Sequence, residues 1–214
     1  MKTSAIILAG GFSKRFGHDK GLVDLAGKPL VLHVLDRIAK VANETLIVVS
    51  SAGQKDVFMS FIKAPIKVLI DQHSQRSPIV GALTGFKHAS GEYSLLLPCD
   101  TPFVSKKVAS LLLDLCVNKG AVIPRWPNRY IEPLQAAYHT ESALNASETA
   151  YKGKRLAMRF MVDNLSGVRY VSTLVLQQID PRLMTFFNVN TTEDLKKAES
   201  MLKRLNTYSF SLPR

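Results

Sequence analysis

The sequence predicts an α/β fold in which a mostly parallel sheet is covered by helices on both faces. Short apolar runs alternate with longer amphipathic stretches through the first 124 residues. Glycine, serine or aspartate follows several of these runs. The composition, with 46% hydrophobic and 21% charged residues, is that of an ordinary globular protein. Because 214 residues suit one domain, we predict a single domain over residues 1–214.

The individual elements follow from hydrophobic spacing. Continuous apolar runs predict buried strands at 4–8, 45–49, 66–70, 93–97 and 121–123. Helical spacing of apolar residues predicts helices at 29–43, 79–89 and 105–117, the last capped by Ser105. The second half is less regular, and there we predict strands at 135–138 and 186–190 and a helix from Thr140. A basic loop follows at 152–155, and Thr191 is expected to cap a final helix.

Charge and cysteine usage narrow the classes of function. The net charge of +11 favours anionic partners, but the basic residues are scattered and no RNA-binding motif is present. Phosphorylated small molecules are therefore favoured over nucleic acid. Cys99 and Cys116 lack the spacing of a zinc site and are expected to be buried thiols. No apolar stretch is long enough to span a bilayer, so we expect no membrane partner and a cytoplasmic location.

The first strand runs directly into a glycine loop, Leu8-Ala9-Gly10-Gly11. Glycines permit a sharp turn whose N–H groups form a nest for anions, and nearby Lys14, Arg15 and Lys20 add positive charge. The loop matches neither the dinucleotide-binding pattern nor a Walker loop. On glycine content alone, a plain turn is an equal alternative. The segment Asp19-Lys20-Gly21-Leu22 favours a triphosphate site.

Two aspartates follow predicted strands, where ligands bind in sheets of this type. Asp100 ends a buried strand, and Pro102 then turns the chain away. Magnesium takes one or two carboxylates plus substrate phosphates, so Asp100 is the candidate metal ligand. Asp71 ends another strand and could bind the nucleoside. For both residues the alternative is a carboxylate that only forms a turn.

Several motifs resemble those of the molybdenum cofactor guanylyltransferases, which are three-layer, Rossmann-like nucleotidyltransferases of the glycosyltransferase-A-like fold. The resemblance covers nearly the whole chain, and its motifs begin at Leu8, Gly27, Pro78, Pro98, Pro133 and Asn188. It implies nucleotide binding by Leu8, Ala9, Gly10, Gly11, Lys20, Asp71 and Asp100. It also implies catalytic roles for Lys20, Asp100 and Arg15, and Mg²⁺ on Asp100. Residues 1–124 would mainly bind the nucleotide and residues 125–214 the acceptor.

The acceptor residues are less sharply defined. Lys154 and Arg155 suit a phosphorylated acceptor, and Asn188 and Asn190 could contact it or complete the metal shell. The alternatives are a solvated basic face and a turn before Thr191. The sequence departs from the family at Ser77, where a glycine is common, and at Ser50-Ser51, where an asparagine is common. These departures leave the base contacts open.

The resemblance implies transfer of GMP from GTP to the terminal phosphate of molybdenum-molybdopterin, which forms the guanine dinucleotide cofactor and pyrophosphate. A related enzyme that uses CTP or another phosphorylated acceptor is the alternative. A nucleotide-binding regulator or a protein that delivers the cofactor is a rival from another class. Transient contact with molybdoenzymes or cofactor-handling proteins is also expected.

Overall fold

The computed structural model describes residues 1–13, 16–62, 65–71, 73, 75 and 77–209. The strands are β1 Thr3–Leu8, β2 Phe12–Ser13, β3 His18–Asp19, β4 Asp24–Leu25, β5 Lys28–Pro29, β6 Glu44–Val49, β7 Ile66–Ile70, β8 Tyr93–Pro98, β9 Ala121–Arg125, β10 Ala136–His139 and β11 Val168–Ser172. The α-helices are α1 Leu30–Ile38, α2 Ala52–Phe61, α3 Pro78–His88, α4 Lys106–Leu115, α5 Thr140–Lys152, α6 Met158–Asp163, α7 Thr173–Leu176 and α8 Thr192–Ser209. Two 3₁₀ turns lie at Lys20–Leu22 and Met184–Phe186.

The main sheet has seven strands in the order β11-β9-β10-β8-β1-β6-β7. β7, β6, β1 and β8 are parallel, and β9 and β11 are parallel to each other. β10 is antiparallel to both β8 and β9. The predicted mostly parallel α/β fold is therefore confirmed, and one sheet joins strands from both halves of the chain. The assignment of nucleotide and acceptor to those halves stays a prediction.

Alternate residues of the strands point to opposite faces, and each face has its own apolar core. One core contains Ile7, Ile47 and Leu97 with residues of α1, α2, α4 and α7. The other contains Ile6 and Leu46 with residues of α3, α5 and α6. Gly85 brings α3 close to β1, because a Cβ at this position would lie 2.4 Å from Cγ2 of Ile6. The helices thus cover both faces, as the alternating sequence pattern predicts.

Glu44 joins the parallel strands at the end of the sheet where they begin. Its carboxylate accepts hydrogen bonds from Ser4 Oγ at 2.6 Å, from Ser90 N at 2.5 Å and from Lys67 Nζ at 3.2 Å. Burial alone would raise the pKa of Glu44, but these hydrogen bonds outweigh it and hold the pKa at about 2. This carboxylate therefore ties β1, β6, β7 and the turn before β8 together at the edge opposite the ligand-binding end.

Both cysteines are buried thiols, as predicted. Burial raises the pKa of Cys116 to about 12 and raises that of Cys99 still further. Neither thiol is a ready nucleophile at neutral pH, because only the thiolate reacts. In the described part of the chain, no helix has both the length and the apolar character needed to cross a membrane.

The structure corrects the prediction of a strand at 186–190. Met184–Phe186 forms a 3₁₀ turn, and residues 187–190 have no regular secondary structure and do not join the sheet. The Val189 N–H donates to the carbonyl of Asp100 at 2.9 Å, so the segment is held at the end of β8. Sequence analysis also missed α2, α6, α7 and β11. The predicted helices are present: α1 and α4 are shorter than predicted, and α3 has the predicted length but begins one residue earlier. Thr191 caps α8 through its hydroxyl, which accepts from Asp194 N at 3.1 Å.

Candidate active site

A cavity of about 440 Å³ opens at the carboxyl ends of β1, β6, β7 and β8. The chain runs from β1 outward to β6 and β7 and then crosses to β8 on the other side of β1. Such a reversal leaves a crevice at the strand ends, where ligands bind in α/β sheets. The residues that line it are Leu8, Gly10, Gly11, Lys20, Val48, Val49, Ser50, Asp71, Ser77, Pro78, Gly81, Pro98, Cys99, Asp100 and Leu134.

The glycine loop forms one wall of this cavity. The Ala9 N–H donates to the Val48 carbonyl at 2.8 Å, which continues the β1–β6 pairing past the end of the strand. Lys20 N donates to the Gly11 carbonyl at 3.0 Å and closes the loop beside the β2–β3 hairpin. A side chain on Gly10 would crowd Ser50, because its Cβ would lie 3.2 Å from Ser50 Cβ. Arg15, a predicted catalytic residue, lies outside the described residues, as does Lys14.

Lys20 and Asp100 meet at the floor of the cavity, and Asn190 contacts Lys20 without lining the cavity. Lys20 Nζ forms an ion pair with Oδ2 of Asp100 and donates to Asn190 Oδ1 at 2.5 Å. The ion pair is partly screened from solvent, since the side chains are 24% and 8% exposed. Three residues that lie far apart in the sequence are therefore brought together. Asn188 instead donates from its side chain to the Phe186 carbonyl at 3.3 Å, which is a local turn contact.

The second carboxylate oxygen of Asp100 fits a metal ligand. Oδ1 is buried and accepts no hydrogen bond from any described residue. A buried acceptor without a partner costs about 1–3 kcal/mol, and coordination of a cation would offset that cost. Among the described residues no group of three acidic, histidine or cysteine side chains could hold a metal. A cation here would therefore take its remaining ligands from phosphate and water, as Mg²⁺ does.

Asp71 lies at the end of β7 on another wall of the cavity. Its N–H donates to the Val49 carbonyl at 2.8 Å, which extends the β6–β7 pairing by one residue. Its Oδ1 accepts from His73 N at 3.1 Å and from Thr84 Oγ1 at 3.2 Å. Contacts from a loop and from α3 thus fix the carboxylate of this cavity-lining residue.

The two departures from the family pattern both lie at this cavity. Ser77 precedes α3, and its Oγ is buried without a partner among the described residues. Ser50 lines the wall, but its N–H and its hydroxyl both donate to Gln54 Oε1, at 2.7 Å and 3.1 Å. The Ser50 hydroxyl is therefore engaged by the protein, whereas the buried Ser77 hydroxyl has no partner among the described residues.

The predicted acceptor residues are divided. None of the four lines the cavity, but Asn190 contacts Lys20, which does. Lys154 and Arg155 lie in an exposed turn after α5. The Arg155 guanidinium lies over the Phe160 ring, 5.1 Å from its centroid.

A second, open cavity of about 370 Å³ lies at the same edge of the sheet, beyond β9 and β11. It is lined by Arg125, Trp126, Pro127, Arg129 and Ser172. Trp126 packs edge-to-face against Phe186, with ring centroids 5.6 Å apart, and donates from Nε1 to Glu132 at 2.7 Å. Phe186 lies just before the segment that is held at Asp100, so the two cavities are neighbours.

Comparison with known proteins agrees with this geometry. A family model described as the MobA-like NTP transferase domain matches residues 5–168. A probable molybdenum cofactor guanylyltransferase of Methanosarcina acetivorans is 32% identical, and the alignment covers 93% of this chain and 89% of the relative. A protein of the same name from Pyrococcus horikoshii is 35% identical over 91% of this chain and 98% of the relative.

A solved structure supports the fold. The molybdopterin-guanine dinucleotide biosynthesis protein A of Archaeoglobus fulgidus is 28% identical and superposes with a TM-score of 0.82. The superposition covers 94% of this chain and 99% of that protein. The predicted nucleotidyltransferase fold of the glycosyltransferase-A-like type is therefore confirmed. On the strength of the matched family model and of relatives aligned over almost their full length, the chain belongs to the MobA-like NTP transferases and, within them, to the molybdenum cofactor guanylyltransferase family of enzymes.

Proposed function

We propose that this enzyme transfers GMP from GTP to the terminal phosphate of molybdenum-molybdopterin and releases pyrophosphate. The observation that carries the proposal is the floor of the cavity, where Lys20 and Asp100 lie beside a glycine loop. The relatives that cover the chain are named for guanylyl transfer onto this cofactor. The family and the site therefore support the same chemistry.

The reaction needs charge neutralisation more than proton transfer. The attacking group is a phosphate, which is already an anion, so no strong general base is required. The α-phosphate of GTP becomes more negative as the acceptor attacks and pyrophosphate leaves. Lys20 and the loop N–H groups are placed to stabilise that charge, and a preorganised site does so without reorganisation. Binding of both substrates in one cleft also accelerates the reaction, because it aligns the terminal phosphate of the acceptor with the α-phosphate of GTP.

Nucleotidyltransferases of this type generally use a divalent metal. We propose Mg²⁺, held by Asp100 through its unpartnered oxygen. When bound, the ion supplies positive charge to the phosphate oxygens. Asn190 orients Lys20 through its hydrogen bond. Asp71 is proposed to contact the nucleoside, since its carboxylate is fixed at the cavity wall.

The acceptor is proposed to extend from Asp100 toward the second cavity. β9 is the second neighbour of β8 in the sheet, so Arg125 at its end lies roughly 10 Å from the end of β8. Arg125 and Arg129 form no ion pair with any described carboxylate, and both line that cavity. They are therefore better placed for an anionic acceptor than Lys154 and Arg155, whose role stays a prediction.

The preference for GTP is proposed from the names of the relatives, and a preference for CTP is the alternative. The unpartnered Ser77 hydroxyl at the cavity wall is a candidate base contact. Calorimetry with the purified protein, Mg²⁺ and each of GTP and CTP tests the preference. We expect GTP to bind more tightly, and tighter binding of CTP would overturn guanylyl transfer.

A nucleotide-binding regulator or a delivery protein would bind GTP but release no pyrophosphate with the acceptor. Cytoplasmic location, contact with molybdoenzymes or cofactor-handling proteins, and the lack of a nucleic-acid partner stay predictions. Affinity for an oligonucleotide with a steep salt dependence would contradict the last of these.

A further inference from the structure

Gln54 lies directly behind the glycine loop and is buried, with only 4% of its surface exposed. It belongs to the first turn of α2, a helix that the apolar pattern does not reveal. Ser51 caps that helix by accepting from the Gln54 N–H at 3.1 Å. The Gln54 side chain is thereby directed at the ends of β1 and β6. A buried amide in this position needs both of its polar ends satisfied.

Both ends are satisfied by the two strands that flank the cavity. Nε2 donates to the Ala9 carbonyl at 3.0 Å. Oε1 accepts from Ser50 N at 2.7 Å and from Ser50 Oγ at 3.1 Å. The orientation of the amide is fixed by its partners, because a backbone carbonyl can only accept and a backbone N–H can only donate. Glutamate in the carboxylate form could not reproduce the contact with Ala9.

The contact with Ala9 bears on the next residue of the loop. The carbonyl of Ala9 and the N–H of Gly10 belong to one planar trans peptide, so they point in opposite directions. Gln54 holds the carbonyl on the buried side, while Gly10 lines the cavity. The Ala9 N–H is separately fixed to Val48. The peptide groups before and after Ala9 are therefore both held in place.

We propose that Gln54 is a positioning residue that holds the Gly10 N–H toward the cavity, where it donates to the phosphates of the bound nucleoside triphosphate. The inference rests on the proposed function for the identity of the ligand. Gln54 does not line the cavity, and its amide holds the loop in the binding conformation before the nucleotide binds. Preorganised donors are effective because they need not turn when charge develops.

Gln54→Glu and Gln54→Met test this role, and Ser60→Ala is the matched control. The control removes an exposed hydroxyl of the same helix, which donates to the Val57 carbonyl at 2.7 Å, and it leaves Ser51, Gln54 and the peptide between Ala9 and Gly10 in place. Calorimetry would measure the affinity of each folded variant for GTP and for inorganic tripolyphosphate. We expect both affinities to fall by about tenfold or more in the Gln54 variants, since a hydrogen bond to a charged group is lost. The control should stay within about twofold of the wild type. GTP affinity within about twofold of wild type in both Gln54 variants would overturn the proposal.

A measurement on the wild-type protein avoids any dependence on folding of the variants. The amide signal of Gly10 in a nitrogen–proton NMR spectrum should shift when tripolyphosphate is added, and an unmoved signal would overturn the proposal. If Gly10 responds and the Gln54 variants lose affinity but the enzyme transfers nothing to the cofactor, the proposed function fails and the role of Gln54 stands. If transfer occurs and the Gly10 amide signal does not move, the role of Gln54 fails alone.

Discussion

Replacement of Asp100 by asparagine should nearly abolish turnover and leave the protein folded. Asparagine keeps the size of the side chain but loses the negative charge that would hold the metal and that pairs with Lys20. Loss of a metal ligand should remove at least about 3 kcal/mol of transition-state stabilisation. That free energy corresponds to a rate lower by about 100-fold or more.

The same structure predicts a small effect on stability. The wild-type protein buries Oδ1 of Asp100 without a partner, which is itself costly by about 1–3 kcal/mol. Asparagine would lose the ion pair with Lys20 but would relieve part of this cost. Lys20 would keep its hydrogen bond to Asn190. We therefore expect the melting temperature without metal to change by no more than a few degrees, since about 1 kcal/mol moves it by roughly 2–4 °C in a domain of this size.

The assay follows release of labelled pyrophosphate at saturating GTP and acceptor. Asp114→Asn is the control, because it makes the same change on an exposed residue of α4 and should leave the rate unaltered. The metal assignment would be refuted if Asp100→Asn kept a rate within about tenfold of wild type.

Three further predictions concern stability and the acceptor. The lowered pKa of Glu44 stabilises the folded protein by up to about 3 kcal/mol. This contribution is complete above pH 4.5, the pKa of Glu44 in the unfolded chain, and is lost as the pH falls toward 2, its pKa in the folded protein. Urea unfolding of Glu44→Gln should therefore show a lower free energy at pH 7 and a weaker dependence on pH below 4.5, and an unchanged acid limb would contradict this. Gly85→Ala should destabilise by about 1–3 kcal/mol through the clash with β1, whereas Gly53→Ala on α2 has open space and should be neutral or stabilising. Arg129→Asn, which suits the left-handed backbone at φ 68°, should raise the acceptor KM by about tenfold and leave the GTP KM unchanged. Exposed Arg204→Gln is its charge-matched control, and an equal effect of both variants would argue against the second cavity.

The sequence was sufficient to predict the fold class and to predict that the glycine loop and Asp100 follow β1 and β8, while their roles in the site stay predictions. The core strands are continuous apolar runs, and the residues after them, such as Gly10 and Asp100, lie at the carboxyl edge because parallel strands end together. The role of Asn190 stays a prediction, and the structure brings its side chain to Lys20, which lies 170 positions away. That pairing depends on tertiary packing and has no local signal.

The errors have physical causes. α2 buries only Gln54 and Phe58, so it has almost no apolar stripe to detect. The segment at 186–190 has apolar residues typical of a strand, but it is held by one hydrogen bond to Asp100 in place of a ladder. Gln54 itself was missed because a single glutamine carries no periodicity. Only the buried partners at both ends of its amide identify it.

The most direct test of the account is transfer from GTP labelled at the α-phosphate to purified molybdenum cofactor, with Mg²⁺ present. The label should enter the cofactor as GMP, with one pyrophosphate released for each acceptor consumed. GTP should be the preferred donor among the four triphosphates. Binding of GTP without transfer to the cofactor, or faster transfer from CTP, would contradict it.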